Sequence, residues 1–234
     1  MSKRIFISKN ASEIASLRSQ FEAKGYEVIA HSFLSFSAVE FEIQHPYDVI
    51  FFGSPRAVIF FKASESISPD KLIACVGSKT AEVLESMGHK VDFVGKNSSD
   101  PKTVAEDFKN WLTERSRSQR ASKAQSEERS TRVLFPLSSR SLKTIAGAIP
   151  EDQKEEVVVY QTEVKGKVIL PCDVYAFSSP SNVEGFFEAN TIPEGAEVIA
   201  WGTSTERALK EYAEKMGFEV KTMTKSDLTV IFGI

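Results

Sequence analysis

Apolar residues along the chain follow two rhythms. Short, nearly continuous runs of β-branched and aromatic residues fall at Ile5–Ser8, Glu27–Ala30, Val49–Gly53, Leu72–Val76, Val91–Val94, Val133–Pro136, Val157–Gln161, Val174–Ser178, Val198–Gly202 and Glu219–Thr222. Unbroken apolar runs of this length predict strands covered by helices on both faces. Between them, apolar residues recur at helical spacing in Ile14–Ala23, Pro55–Phe61, Lys79–Met87, Thr103–Leu112, Pro180–Phe187 and Thr205–Met216. Regular alternation of strands and helices predicts an α/β fold with parallel sheets.

The pattern is also written twice. Asp48-Val49-Ile50-Phe51-Phe52-Gly53-Ser54-Pro55-Arg56-Ala57-Val58 returns 125 residues later as Asp173-Val174-Tyr175-Ala176-Phe177-Ser178-Ser179-Pro180-Ser181-Asn182-Val183. Val76-Gly77-Ser78-Lys79-Thr80 returns at the same offset as Trp201-Gly202-Thr203-Ser204-Thr205. The helices that follow both end in Met-Gly, at Met87-Gly88 and Met216-Gly217, the second copy being four residues longer. A weaker echo links Lys3-Arg4-Ile5-Phe6-Ile7 to Thr131-Arg132-Val133-Leu134-Phe135. Two motifs at one spacing identify an internal duplication, and hence two doubly wound parallel-sheet lobes.

Composition narrows the class. Of 234 residues, 41% are hydrophobic and 26% charged, which supports a buried core and excludes global disorder. The 29 basic and 32 acidic residues give a net charge of −3, unlike the basic surface of a general nucleic-acid binder. Thr113–Arg132 departs from the rest: it is nearly free of apolar residues and carries a net +3. That composition reads as a solvated helix extension or mobile loop, with an anion-attracting flap as the sharper alternative. No aromatic residue is interleaved for base stacking. Cys75 and Cys172 lie in or beside apolar runs and read as buried thiols in a reducing compartment. The first apolar stretch is too short for a signal peptide and no run is long enough to span a bilayer, so a cytoplasmic protein is expected.

The duplicated motifs share one design of strand, small polar residues and helix. Ser54-Pro55 and Ser179-Pro180 pair an N-cap serine with a proline at the first helical position. Thr203, with Glu206 three residues on, fits a capping box, and Ser78 is its counterpart. Gly77 and Gly202 are expected to turn the backbone, and Gly88 and Gly217 to end the helices. Ligands of open α/β sheets bind at the carboxyl ends of strands, where helix N-termini favour anions. Each such end contributes roughly 0.3–1 kcal/mol to an exposed anion, so a ligand needs several acidic groups, side-chain contacts and closure around it.

Conventional catalytic motifs are absent. Gly95-Lys96 lacks the flanking residues of a phosphate-binding loop, with Lys90 and Asn97 where glycine and a hydroxyl are needed. Gly202-Thr203-Ser204-Thr205-Glu206 lacks the final glycine of a nucleophile elbow. No dinucleotide fingerprint follows a strand. His31, His45 and His89 form no zinc spacing with each other or with the cysteines, and no metal site is expected.

Taken in order, Phe52-Gly53-Ser54-Pro55-Arg56-Ala57-Val58, Val76-Gly77-Ser78-Lys79-Thr80-Ala81, Leu134-Phe135-Pro136, Val159-Tyr160-Gln161-Thr162, Phe177-Ser178-Ser179-Pro180-Ser181 and Gly202-Thr203-Ser204-Thr205 resemble the uroporphyrinogen-III synthase family over nearly the whole chain. The resemblance implies a cofactor-free enzyme of tetrapyrrole biosynthesis built as two α/β lobes joined by a two-stranded linker. The first lobe would be discontinuous, residues 1–35 and 164–234, the second would span 38–160, and 36–37 with 161–163 would link them. The implied substrate is hydroxymethylbilane, a linear tetrapyrrole with eight carboxylates. The implied reaction expels its hydroxyl as water and closes the ring with the last pyrrole inverted, so the protein acts mainly by positioning and charge stabilisation.

By the same resemblance Tyr160 matches a tyrosine beside the cleft and becomes the candidate to help the hydroxyl leave, a packing role in the linker being the alternative. Thr80 and Thr205 match threonines after the glycine turns, and Ser54 and Ser179 match the Ser-Pro caps. With Ser78 and Thr203 they form the expected carboxylate-binding set. Lys9 stands where many members carry arginine after the first strand, which keeps the cation without bidentate geometry. Many members follow Leu-Phe-Pro with a basic or small pair, whereas this chain has Leu137-Ser138-Ser139-Arg140. The family suggests a monomer acting on a small molecule, with neither nucleic acid nor membrane as partner. A non-enzymatic two-lobed sensor of a small polyanion fits the duplicated caps too, but has no reason to carry the full ordered set with Tyr160.

Overall fold

The computed structural model describes residues 2–98, 100–122 and 130–223. In chain order the elements are β1 (Arg4–Ile7), α1 (Ala15–Ala23), β2 (Glu27–Ala30), β3 (Leu34–Ala38), β4 (Val49–Phe52), α2 (Pro55–Ser64), β5 (Leu72–Cys75), α3 (Ser78–Ser86), β6 (Phe93–Val94), α4 (Pro101–Ser122), β7 (Val133–Ser138), β8 (Lys154–Val164), β9 (Val174–Phe177), α5 (Pro180–Phe187), β10 (Glu197–Trp201), α6 (Thr203–Met216) and β11 (Val220–Met223). They form two units, one of Met1–Ser35 with Glu163–Ile234, the other of Phe36–Thr162.

The first unit is a five-stranded sheet in the order β11-β10-β9-β1-β2, with every pairing parallel. Alternation along β1 decides which helix covers which face. Ile5 and Ile7 pack with Leu17 and Phe21 of α1. Phe6 faces the other way, onto Val183 and Phe186 of α5 and Leu209 of α6. Both faces are covered, which explains why the strands are apolar on both sides.

The second unit repeats the scheme with the order β3-β8-β7-β4-β5-β6. Ile50 and Phe52 of β4 pack on α2 and α3 through Val58, Phe61 and Leu84. Val49 and Phe51 pack on α4 through Val104 and Phe108. The 125-residue repeat matches β4 and β5 with β9 and β10, and the weaker echo matches β7 with β1. Under that pairing β6-β5-β4-β7-β8 and β11-β10-β9-β1-β2 have the same order, so the duplication holds at the level of topology.

Several local expectations are corrected. The N-caps of α3 and α6 are Gly77 and Gly202, so Ser78 and Thr203 are the first helical residues rather than caps. Gly202 has φ +99°, where a side chain is strained, and the helix starts directly after it. The Thr203–Glu206 capping box does not form: the Glu206 N–H donates to the Gly202 carbonyl at 3.0 Å and its carboxylate pairs with Lys210 at 2.7 Å. Gly77 is extended rather than left-handed. What its position requires is space, because a Cβ there would lie 2.9 Å from Ser98 Cβ. Strand β6 shrinks from the expected four residues to Phe93–Val94. Helix α4 runs ten residues beyond Leu112, so Thr113–Ser122 is a helix extension. Arg115 helps to anchor it, lying 5.0 Å from the Trp111 ring and 3.8 Å from Asp92. Residues 123–129 of the basic segment lie outside the described residues.

Candidate functional site

In the second unit a cavity of about 410 Å³ opens at the carboxyl ends of β4, β5 and β7. Its floor is apolar, from Phe51, Val76, Phe135 and Leu137, and its polar wall includes Ser54, Lys79, Thr80, Ser98 and Lys143. Three helices begin beside it, and they differ in what satisfies their first turn. In α2 the Ser54 Oγ accepts from the Ala57 N–H at 3.1 Å, with Pro55 at the first position. In α4 Asp100 accepts from the Thr103 hydroxyl at 2.7 Å and from the Lys102 N–H at 3.2 Å, so a carboxylate already occupies that end. In α3 the N-cap is Gly77, which has no side chain to cap the first turn. Ser78 and Lys79 are exposed there, while Thr80 is buried. Lys79 makes no ion pair with any described residue, so an uncapped helix end and an unpaired cation meet at one wall.

The loop after β7 adds Ser141, Leu142, Lys143 and Thr144 to the lining. Its backbone is folded back on Ser138: the Ser141 N–H donates to the Ser138 carbonyl at 3.0 Å, and the Arg140 N–H to its hydroxyl at 3.2 Å. Leu142 is 91% exposed. Lys143 follows with φ +55°, the one non-glycine at positive φ among the described residues. Its Nζ lies 2.7 Å from Glu156, which also faces Lys154 at 3.4 Å. Burial pushes the Glu156 carboxyl up, but the hydrogen bond and charge of Lys143, then those of Lys154, outweigh it and hold the group below its ordinary value.

Of the expected site residues, Ser54 and Thr80 line this cavity. Ser78 sits at the adjoining helix start, exposed. Tyr160 lies in the core beside α2, 6% exposed, with its ring stacked 5.1 Å from Phe60 and edge-on to Phe36. A β-bulge puts it there. Leu137 pairs with Val158 but Ser138 with Tyr160, so Val159 is the extra residue. Alternation is thereby broken, and Val159 and Tyr160 both face the α2 side.

The first unit carries the other half of the expected set. Ser179 Oγ accepts from the Asn182 N–H at 3.4 Å and its Nδ2 at 3.0 Å. Thr205 is buried and Thr203 exposed, as Thr80 and Ser78 are in the other copy. Lys9 forms an ion pair with Glu13 at 3.2 Å. Just before it, Ser8 is fully buried and locks β1 to β9, its hydroxyl accepting from the Ser178 N–H at 2.7 Å.

Lys79 and Lys143 were not in the expected set. Lys79 stands inside the repeated glycine-turn motif, but its counterpart is Ser204, so the duplication gives no hint of a cation. Nothing in Ser141-Leu142-Lys143-Thr144 signals positive φ. The histidines stay apart: His31 packs edge-on to Phe33 at 5.0 Å, and His45 Nδ1 lies 3.4 Å from Glu155. Among the described residues no group of three His, Cys, Asp or Glu could hold a metal. No described helix is long and apolar enough to cross a membrane.

The fold defines a doubly wound, two-unit α/β protein whose second unit carries a cavity at the strand ends, beside helix N-termini and lysines. The chain belongs to the family described as uroporphyrinogen-III synthase HemD, whose sequence pattern matches residues 15–228. It is therefore an enzyme of tetrapyrrole biosynthesis. Its fold is similar to that of uroporphyrinogen-III synthetase from Helicobacter pylori, with TM-score 0.60 and 16% identity over 95% of this chain and 92% of that one. It is also similar to a mutant uroporphyrinogen III synthase from the extremely thermophilic bacterium Thermus thermophilus, with TM-score 0.55 and 15% identity over 96% and 93%. No curated protein sequence matches this chain.

Proposed function

We propose that the chain converts hydroxymethylbilane into uroporphyrinogen III and water, binding one acidic pyrrole in the cavity of the second unit. The observation that carries this reading is the convergence, in a chain of this family, of an uncapped helix end, Thr80 and two lysines on one apolar-floored cavity. A volume of 410 Å³ lies near the lower end of ligand pockets, roughly 300–1,000 Å³, and suits one substituted pyrrole rather than four. Pyrrole carbons would lie on Phe51 and Phe135, while acetate and propionate arms would reach the start of α3, Ser54 and Thr80. By the same physics the helix starts of the first unit, with Ser179, Thr203, Thr205 and Lys9, would suit carboxylates.

In the reaction the hydroxyl of the terminal hydroxymethyl group leaves with a proton as water, giving an electrophilic azafulvene. The far pyrrole attacks through its substituted carbon to form a spiro intermediate. That intermediate reopens, recloses with the ring inverted and loses a proton. The protein's part is to hold the chain so that the substituted carbon is nearer than the free one. Tyr160 would donate the hydrogen bond that eases hydroxyl departure; its ring is fixed between Phe60 and Phe36, which removes a rotamer search. The enzyme acts as a monomer in the cytoplasm on this small molecule. The sensor alternative has no observation of its own in its favour.

Product analysis tests the reading. With hydroxymethylbilane generated in situ, catalytic amounts of the protein should give mostly the III isomer after oxidation to uroporphyrin. Only the I isomer, at the rate of the protein-free control, would overturn it.

A further inference from the structure

Lys143 belongs to a charge cluster with Glu156 and Lys154. Its partner Glu156 has a second cation, Lys154, whose side chain is only 6% exposed. Lys154 is fixed by the Ala146 carbonyl at 3.1 Å and Glu151 at 2.8 Å as well as by Glu156. Lys143 is 53% exposed, and Glu156 is its one ion-pair partner among the described residues. If Lys143 swings away, Glu156 keeps a cation, whereas Lys154 is buried and held by three partners at once. So Lys143 is the exchangeable member of the cluster. Its backbone is also strained, since φ +55° is unfavourable for a residue with a long side chain, and such strain persists where a site needs it. Lys143 moreover lines the same cavity as Thr80 and Lys79 of α3.

We propose that Lys143 is a substrate-binding residue that leaves Glu156 to pair with a carboxylate of the pyrrole held in the second unit's cavity, Lys154 meanwhile keeping Glu156 neutralised. The inference rests on the synthase reading above. It adds a built-in competitor: Glu156 holds the cation in place when no substrate is bound and opposes its transfer, so the two carboxylates compete for one ammonium group. A hydrogen bond to a charged group is worth more than a neutral one, and in a half-exposed setting its loss should weaken binding roughly tenfold.

Steady-state kinetics on hydroxymethylbilane with the full chain separates the possibilities. Lys143→Gln should raise KM roughly tenfold with kcat within about twofold, and Lys143→Arg should restore most of the affinity. Lys143→Gly is the fold control, because glycine accepts φ +55° without strain; it should raise KM as glutamine does while its melting temperature stays near wild type. Glu156→Gln should act in the opposite direction and lower KM about two- to threefold. An unchanged KM in Lys143→Gln, or a KM raised equally by Lys143→Gln and Glu156→Gln, would overturn the proposal and leave the pair as a structural link. Failure of the synthase reading is distinguishable, because the wild-type chain itself would then yield no III isomer.

Discussion

The backbone N–H of Phe33 donates to the side-chain oxygen of Asn182 at 2.9 Å, a bond that joins residues 149 positions apart. Asn182 is 4% exposed and its Nδ2 turns back to Ser179 Oγ, so one amide both anchors the approach to β3 and completes the Ser-Pro start of α5. One turn further along, a Cβ at Gly185 would clash with Phe33 Cβ and lie 2.8 Å from Val164 Cγ1. Positions three apart share a helix face, so Asn182 and Gly185 dock α5 together. Asn182→Ala leaves a buried N–H without a partner and should cost about 1–3 kcal/mol. Gly185→Ala should cost at least as much through overpacking, about 1–3 kcal/mol or more. Thermal unfolding should show drops of several degrees for both.

The glycine at the start of α3 gives a second prediction. A Cβ at Gly77 would crowd Ser98, whereas one at Gly53 meets nothing within 4 Å. Gly77→Ala should therefore lower stability by about 1–3 kcal/mol and push the α4 side of the cavity away from α3, raising KM. Gly53→Ala should melt within about 1 kcal/mol of wild type. Equal melting of the two variants would show that the Ser98 turn yields freely.

How far these features could be read from the sequence depends on their range. The repeated Ser-Pro and glycine-turn motifs are local chemistry repeated at one offset, and even the faint Ile5–Phe6–Ile7 echo of Val133–Leu134–Phe135 marks matching strands at the heart of the two sheets. The Asn182–Phe33 bond, the Gly77–Ser98 approach and the Lys143–Glu156 pair each join segments that periodicity cannot bring together. The bulge beside Tyr160 is equally invisible, because it arises from a mismatch between β7 and β8 rather than from either strand alone. Ser78 and Thr203 looked like caps because their residue type suits that role; the glycines before them adopt conformations that let the helix start without one.

The cluster of Lys143, Lys154 and Glu156 sets a pH dependence. Glu156 is held below its ordinary value of 4.5, so its contribution to stability is present above that value and lost as pH falls through the depressed native one. Burial pulls Lys154 down, but Glu151 and Glu156 together raise it above its ordinary 10.5, so its contribution is present below 10.5 and lost as pH rises through the higher native value. This cluster should leave stability flat from roughly pH 5 to 10. Glu156→Gln should lower the plateau by about 1 kcal/mol and flatten the acid limb of a melting-temperature profile. A parallel acid limb in the variant would exclude Glu156 as its source.

Both thiols should be silent in the native state. Burial pushes Cys75 and Cys172 up to about 11 each. At about pH 8 roughly one thiol in a thousand is then ionised, and the thiolate is the reactive form. A chromogenic disulfide reagent should react fully, with two equivalents, only after denaturation, and pretreatment of the native protein with iodoacetamide should leave turnover unchanged. Rapid native labelling would place at least one thiol in a more open setting than the strand ends Leu72–Cys75 and Cys172–Val174 provide.

Tyr160 offers the sharpest division between packing and chemistry. Its ring stacks on Phe60 and meets Phe36, which is itself covered by the Arg56 guanidinium at 3.5 Å, and phenylalanine would preserve every one of these contacts. Tyr160→Phe should therefore melt within about 1 kcal/mol of wild type. If the hydroxyl assists departure of the substrate's hydroxyl, kcat should fall about a hundredfold, the lower end of what positioned acids contribute, because a phenol is a weak acid at neutral pH. KM should change little, and the III isomer should still dominate, since inversion depends on how the chain is held rather than on how water leaves. Tyr160→Ala should instead lose stability by about 3–5 kcal/mol through the cavity it creates. A Tyr160→Phe enzyme with kcat within about twofold of wild type would remove the hydroxyl from the chemistry and leave the bulge as a packing device.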